Sequence, residues 1–377
     1  MKEILLNNSP VLTWRWLKVN NIPLKDYNFP EINYDIDSIK ENSFIKSRKS
    51  FKDEDINNLL DNKFQLKYKE VEHGKIDLAY GVSEEFVLSA EKYFNSGVVI
   101  HVKKGEKIEE PIFIDYNLSH EKDKLVDNNI IVAEENSEVT IIVQYGTESD
   151  VEAFHNGITK IYAKQGSVVN LVKVQMMNAI SKNFDSNVSY VSYGAKVNYV
   201  NVELGSKESF SNFVTNLEEE NAEGNLKSIY LVDGDRYADL NYIMNHRGRR
   251  SLSDMEIRGV LKDTGKKMFK GTLDFKKGSS RAKGSEEEYA ILLDPKVKSD
   301  AIPLLLCEED DVEGQHAASA GKIDAEKLFY LMSRGLSEKE SKKLIVEASF
   351  KPIIDSIPVK ELREKIEEEI HRRLVEE

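Results

Sequence analysis

Few residues of this chain have the side-chain types that metal or nucleophilic chemistry needs, so those that do are conspicuous. His316 follows the acidic run Glu308-Glu309-Asp310-Asp311-Val312-Glu313-Gly314-Gln315 and precedes Ala317-Ala318-Ser319-Ala320-Gly321. An imidazole beside carboxylates is a borderline ligand that suits iron, and small neighbours let a second surface approach closely. Cys307, nine positions earlier, is a possible soft donor. One histidine and one cysteine cannot close a coordination sphere, so a metal held here needs ligands from elsewhere. Cys307 is also the chain's single cysteine, which excludes an intrachain disulfide and any four-cysteine or Cys2His2 site built from one copy. Taken alone it reads more readily as a small buried strand residue. His246 opens His246-Arg247-Gly248-Arg249-Arg250-Ser251-Leu252-Ser253-Asp254, whose basic groups could attract an anion, although a solvated loop is the commoner reading. The remaining histidines, 73, 101, 120, 155 and 371, are scattered and read as surface or structural residues.

Motifs for catalysis are missing. Gly278 to Ser285 contains glycines, but Ser and not Lys follows Gly284, so it is no phosphate-cradling loop. There is no Gly-x-Ser-x-Gly elbow, no His-Glu-x-x-His and no Gly-x-Gly-x-x-Gly opening a helix after a strand. The 53 basic and 66 acidic residues leave a charge of −13, which repels phosphate backbones and anionic lipid, so neither nucleic acid nor membrane is expected as a partner. The apolar start Met1-Lys2-Glu3-Ile4-Leu5-Leu6-Asn7 is too short for a secretory segment, and no window approaches the ~18–20 apolar residues of a membrane span, so a cytoplasmic location is expected.

The element that must position these residues is a repeat. Between about 96 and 280, Val/Ile/Tyr-rich runs recur, hinged at 105, 136, 166, 194 and 224, at intervals of 31, 30, 28 and 30. Apolar and polar residues alternate on both sides of each hinge, as in Val168-Asn170-Val172-Val174, which predicts strands with one buried face. A hairpin sandwich needs Asn-Gly-type reversals throughout, and only Asn156-Gly157 fits. The regular interval favours a parallel β-helix, in which each coil buries its apolar face on the next, over a sandwich or jelly roll.

Helices are expected at both ends. Ser9-Pro10 introduces one over Val11–Val19 with Trp14 and Trp16, and Asp53–Leu60 and Ser83–Phe94 are two more. The polar stretch 30–75 between them reads as a loose arm. Beyond the repeats, Asp324 caps Ala325–Arg334 with Gly335 past its end, and Ser337-Glu338-Lys339-Glu340 is a capping box opening a helix to about Phe350. The last helix, from Val359, carries Leu362, Ile366, Ile370 and Leu374 as one stripe, which either packs on its own domain or docks on another protein.

Arg281 to Gly335 resembles the C-terminal signature of the SufB/SufD family, scaffold subunits of the SUF iron–sulfur cluster assembly machinery. The resemblance rests on Leu292-Leu293-Asp294-Pro295, Ala301-Ile302-Pro303, the run Asp310 through Asp324 around His316, and Leu328-Phe329-Tyr330-Leu331-Met332-Ser333-Arg334-Gly335-Leu336. His246 through Ser253, Gly259-Val260-Leu261 and Phe269-Lys270-Gly271 look like the family too. The repeats agree in kind, and the N-terminal third is compatible. The resemblance implies a mainly β fold: a right-handed parallel β-helix (solenoid) core over 96–320, an N-terminal helical region with a polar arm over 1–95, and a C-terminal helical domain over 321–377. It further implies a SufB-like paralogue joined through the β-helices, and a SufC-like ATPase held by the C-terminal domain, where Phe329, Tyr330, Ser333, Arg334 and Gly335 are the candidate contacts.

On the same resemblance, a transient iron–sulfur cluster forms at the interface with the partner chain, His316 is its candidate ligand here, and nothing is stably bound to the isolated chain. Glu288 stands where SufB-type chains carry a cysteine, and Ala317 follows the histidine where they have Glu, which favours the SufD type. Gly314 stands where some SufD chains have cysteine, so no thiolate acts there. The expected function is that of a non-enzymatic SufD-like scaffold. A SufB-like homodimeric scaffold is one alternative, as pairing of the isolated chain with itself is possible. A carbohydrate-active β-helix enzyme is another, but Asp233-Gly234-Asp235, a candidate acid pair, reads as turn chemistry.

Overall fold

The computed structural model describes residues 3–11, 19–36, 41–60, 64 and 80–375. The helix expected over Val11–Val19, with both tryptophans, falls mostly outside the described residues. From Val98 to Gly321 the chain lays down strand after strand, and alternate strands join two different sheets, one of nine strands and one of eight. Within each sheet, strands two apart in sequence are parallel neighbours in unbroken register, for example Val188↔Val214↔Ile243 and Val172↔Val200↔Lys227. Coil therefore stacks on coil, giving a parallel β-solenoid of about eight turns with helices at both ends.

One corner of each coil is a tight turn with its apex in the left-handed region. The apices are Gly105, Asn136, Gly166, Gly194, Asn221, Arg250 and Arg281, at successive intervals of 31, 30, 28, 27, 29 and 31. Gly and Asn adopt this conformation at little cost. Each apex N–H donates to a carbonyl of the next coil's turn, as in Gly105 N to Glu135 O (2.9 Å) and Gly194 N to Glu220 O (3.1 Å). This column corrects the hinge expected at Gly224, which lies inside the strand Glu223–Val232. There a Cβ would meet Thr215 Cγ2 at 2.8 Å, so the glycine serves close lumen packing and not the turn, which Asn221 makes three residues earlier.

The nine-stranded sheet is covered outside by the N-terminal region. Helices α1 (Asp53–Leu59) and α2 (Glu84–Lys92) bring Ile56, Phe86, Val87 and Ala90 onto Val126, Ile130, Ile158, Phe184 and Val188, together with Leu60 and Phe64. The Ser83 hydroxyl caps α2 by accepting from Phe86 N at 3.2 Å. Of the stretch 30–75 expected as a loose arm, 37–40, 61–63 and 65–75 lie outside the described residues; in the rest, Ile45–Ser47 is an antiparallel strand on Val98–Ile100, and Ile45, Ile56, Leu60 and Phe64 are buried. Their partners lie far along the chain, which local periodicity cannot reveal.

The outer face of the eight-stranded sheet receives α4 (Glu338–Ile354) and α5 (Lys360–Val375), which follow α3 (Ala325–Ser333). Leu362, Ile366, Ile370 and Leu374 pack with Val346, Phe350 and Ile353 on Val172, Val202, Ile229, Leu231, Val260 and Ile291, so the stripe of the last helix docks on its own chain. Arg373 bolts the end of α5 to a coil corner, donating to Leu231 O and to Asp233 Oδ2, both at 2.9 Å. By contrast, α3 buries no residue.

Candidate functional site

The lumen of the solenoid has one sealed end and one open end. At the N-terminal end Ile36, Phe44, Ile45 and Ile108 pack onto the core formed by Val98, Ile100, Ile112 and Ile114. At the C-terminal end the last coil consists of Lys298–Cys307 and Glu313–Gly321, the outermost strands of the two sheets. Each pairs on one side only, with Lys266–Phe275 and Lys283–Ile291 respectively. Two edges of backbone N–H and C=O groups are left without a strand partner among the described residues, a template for pairing with another chain.

Alternation along these strands places Ala301, Pro303, Leu305 and Cys307, and opposite them Gly314, His316, Ala318 and Ala320, on the lumen side. His316, Cys307, Ala301, Ala318 and Ala320 are exposed because no further coil covers them. Cys307 is therefore not the buried strand residue that its composition favoured. Small side chains at most of these positions leave a shallow recess in which His316 carries the imidazole. Cys307 lies at the end of the opposite sheet, and no group of three or more His, Cys, Asp or Glu able to hold a metal occurs among the described residues.

The floor of the recess is the coil below. Lys267, Glu286 and Glu288 are buried there. Glu288 accepts from Tyr230 Oη (2.8 Å) and from Lys267 Nζ, which also donates to Asp300 O (3.2 Å). Glu286 pairs in register with His316, is 2% exposed, and has no hydrogen-bond partner at either carboxylate oxygen. Burial, and then the neighbouring Glu288, push its pKa up to about 8 against the pull of Lys267. The glutamates were hidden in the sequence by Ser285-Glu286-Glu287-Glu288-Tyr289, which looks like a solvated run. Counting back in twos from the inward Ala290 would have shown that 286 and 288 face the lumen.

A second polar group, also unsuspected from the sequence, runs through the first half of the lumen. His155 Nε2 is 2.6 Å from Asp127 Oδ1, its Nδ1 is 2.5 Å from Asn183 Oδ1, and Tyr145 Oη donates to Asp127 Oδ2 at 3.2 Å. Asn183 donates to Ser209 Oγ (2.9 Å), which donates to Glu203 Oε2 (3.0 Å). Burial works to raise the Asp127 pKa, but His155 and Lys173 hold the carboxyl below its ordinary range. Glu203 is pushed up to about 7 by burial and by Asp185. His246 belongs to the interior as well, at the end of the strand Tyr237–His246, so neither the solvated-loop reading nor the anion-attracting one holds for it. Its ring nitrogens lie 2.8 Å from Ser251 Oγ and Ser253 Oγ, it stacks on Phe275, and burial lowers its pKa to about 4. The following Arg247 and Arg250 pair with Glu218 and Glu220 of the neighbouring turn.

The C-terminal candidates form one surface, away from His316 in the sequence and on a different element. Phe329 and Tyr330 are 74% and 57% exposed on α3, and the Arg334 guanidinium lies over the Tyr330 ring at 5.3 Å. Ser333 Oγ donates to Tyr330 O at 2.7 Å and Gly335 ends the helix at φ +96°, so these two shape the surface and the others present it. An apolar cleft beside them is lined by Tyr330, Leu331, Leu344, Ile345 and Ala348.

Residues 116–349 match the family model described as SUF system FeS cluster assembly, SufBD core domain. The chain is 26% identical over 282 residues to the iron–sulfur cluster assembly protein SufD of Bacillus subtilis, covering 74% of this chain and 64% of that protein. It is 25% identical over 269 residues to SufB of the same organism, covering 71% of this chain and 57% of SufB. A SufBD family protein of Mycobacterium leprae is 25% identical over 281 residues, 72% of this chain and 32% of the relative. The chain thus spans less than two thirds of the length of these relatives. No helix among the described residues is long and apolar enough to cross a membrane. The solenoid with its open end and the match over most of that solenoid together place the chain in the SufBD family of iron–sulfur cluster assembly proteins.

Proposed function

We propose that this chain is the SufD-type half of a two-chain scaffold on which an iron–sulfur cluster is assembled. A SufB-type paralogue pairs with the open end of the solenoid, and its ligands complete the partial set offered by His316. The observation that carries this reading is the terminal coil: two strand edges without partners frame a recess that presents one imidazole among small residues. An edge of this kind is costly to leave exposed and gains backbone hydrogen bonds when another chain adds to it. The cluster is cargo, held at the joint and passed on.

A SufC-type ATPase docks on α3, with Phe329 and Tyr330 as its apolar anchors. These rings are exposed on a helix that buries nothing, whereas α4 and α5 are fastened to the solenoid. Nucleotide-driven movement of the ATPase would then act on the solenoid through α4 and α5, provided that nucleotide favours one arrangement differentially. The alternative of self-pairing uses the same edges, and the mass of the purified assembly separates the two.

The test is His316→Ala in cells that depend on this chain. Complex formation should persist while maturation of iron–sulfur enzymes falls at least tenfold. Normal maturation would remove His316 from the cluster site.

A further inference from the structure

Glu286 carries a carboxyl group that the fold goes out of its way to accommodate and then leaves unused. It is 2% exposed, and neither oxygen has a hydrogen-bond partner. A buried polar group in that state destabilises the fold. Room for it exists because the facing position on the opposite sheet is Gly271, where a Cβ would stand 2.8 Å from the Glu286 Cδ and 3.0 Å from its Oε1. Its neighbour Glu288, two residues on, is by contrast engaged at Oε1 by both Tyr230 and Lys267.

What Glu286 lacks is an N–H donor, and the chain places one directly above it. His316 is its register partner on the terminal strand and shares its lumen-side face. Register partners on adjacent strands stand about 4.8 Å apart, within reach of an imidazole and a carboxyl that turn toward each other. The carboxyl oxygens are sealed from solvent, so a metal at the interface can meet the ring on its open side but not the glutamate. Metal-bound histidines commonly donate their second ring N–H to a carboxylate, which fixes tautomer and orientation.

We propose that Glu286 is the positioning residue for His316: it accepts the ring N–H on the lumen side and aims the other nitrogen at the partner chain. This deepens the proposed function and rests on its reading of His316. Gly271 serves the arrangement by keeping the carboxyl's place clear, and the unpaired state seen in the single chain is the one that waits for the partner.

The experiment uses the full chain co-expressed with its SufB-type paralogue, with Glu286→Met and Glu286→Gln compared to the parent and to His316→Ala. Methionine fills the space without a polar atom, so the isolated Glu286→Met chain should melt higher than the parent, which separates loss of function from loss of fold. Enzyme maturation in cells should fall about 10–100-fold in this variant. Glu286→Gln, which retains an acceptor oxygen, should recover a large part of it. In the complex, the ring nitrogen resonances of 15N-labelled His316 should show one fixed tautomer for the parent and a tautomer mixture for Glu286→Met. Full maturation with unchanged His316 resonances in Glu286→Met, while His316→Ala is inactive, would overturn the positioning role and leave the proposed function standing. Full maturation in His316→Ala would overturn both.

Discussion

At the N-terminal end of the lumen Ile36, Phe44 and Ile45 close the coil, and the buried polar side chains of that half, Asp127 and His155, are bonded to each other and to Asn183 and Tyr145. At the C-terminal end small residues leave the coil open, and the buried Glu286 has no partner. Both halves bury ionisable groups in the same kind of strand, so burial as such does not mark function. Polar groups are tolerated in a low-dielectric interior when they are paired. The bonded cluster around Asp127 holds the fold together, whereas Glu286 stands unpaired beside an edge without a strand partner among the described residues, where the proposed paralogue would finish the structure.

This contrast can be broken experimentally. The largest effect is expected at the sealed half: Asp127→Ala strands His155 and Tyr145 without their acceptor and should cost about 3–5 kcal/mol in denaturant unfolding. A loss below about 1 kcal/mol would remove the network from the list of fold-holding features. Next comes a pH dependence from Glu203, whose pKa rises from 4.5 to about 7 in the folded chain. A raised carboxyl binds its proton more tightly when folded, so this contribution is complete below about pH 4.5 and disappears as pH rises through 7. It amounts to roughly 3 kcal/mol at 1.36 kcal/mol per unit. Glu203→Gln should flatten that part of the stability–pH curve, and an unchanged slope would contradict the assignment.

Smaller effects belong to the open half. Gly271→Ala crowds the Glu286 carboxyl and the Phe269 ring (2.9 Å) and should lower stability by about 1–3 kcal/mol, read as a fall in melting temperature. Leu305→Ser, at an exposed lumen-side position of the last coil, should change the stability of the isolated chain by no more than about 0.5 kcal/mol yet weaken co-purification with the paralogue. Equal capture of the paralogue by parent and variant would argue that the two chains meet elsewhere.

Much of this architecture could be read from the sequence, because a solenoid repeats its signal. Alternation gave the strands, and the turn apices recur closely enough that a misplaced fifth hinge, Gly224 for Asn221, shifted the expected spacing by only three residues. Helix caps at Ser83, Asp324 and Ser337 are local chemistry and were legible for that reason. Long-range features were not. Nothing near Phe64 announces that it packs on Tyr162, and the stripe on α5 could not say which surface it met until the outer face of Val202, Ile229 and Val260 was in view. His316 was conspicuous by composition, whereas Glu286 was disguised by its acidic neighbours and became informative only when register placed it under the histidine.

The most direct test of the open end as the working end is backbone amide exchange of this chain, alone and in complex with the proposed SufB-type paralogue. Pairing at the last coil predicts strong new protection in Lys298–Cys307 and Glu313–Gly321, with the sealed-half strand Phe154–Ala163 unchanged. A complex that forms while those two strands exchange as fast as in the free chain would contradict the account.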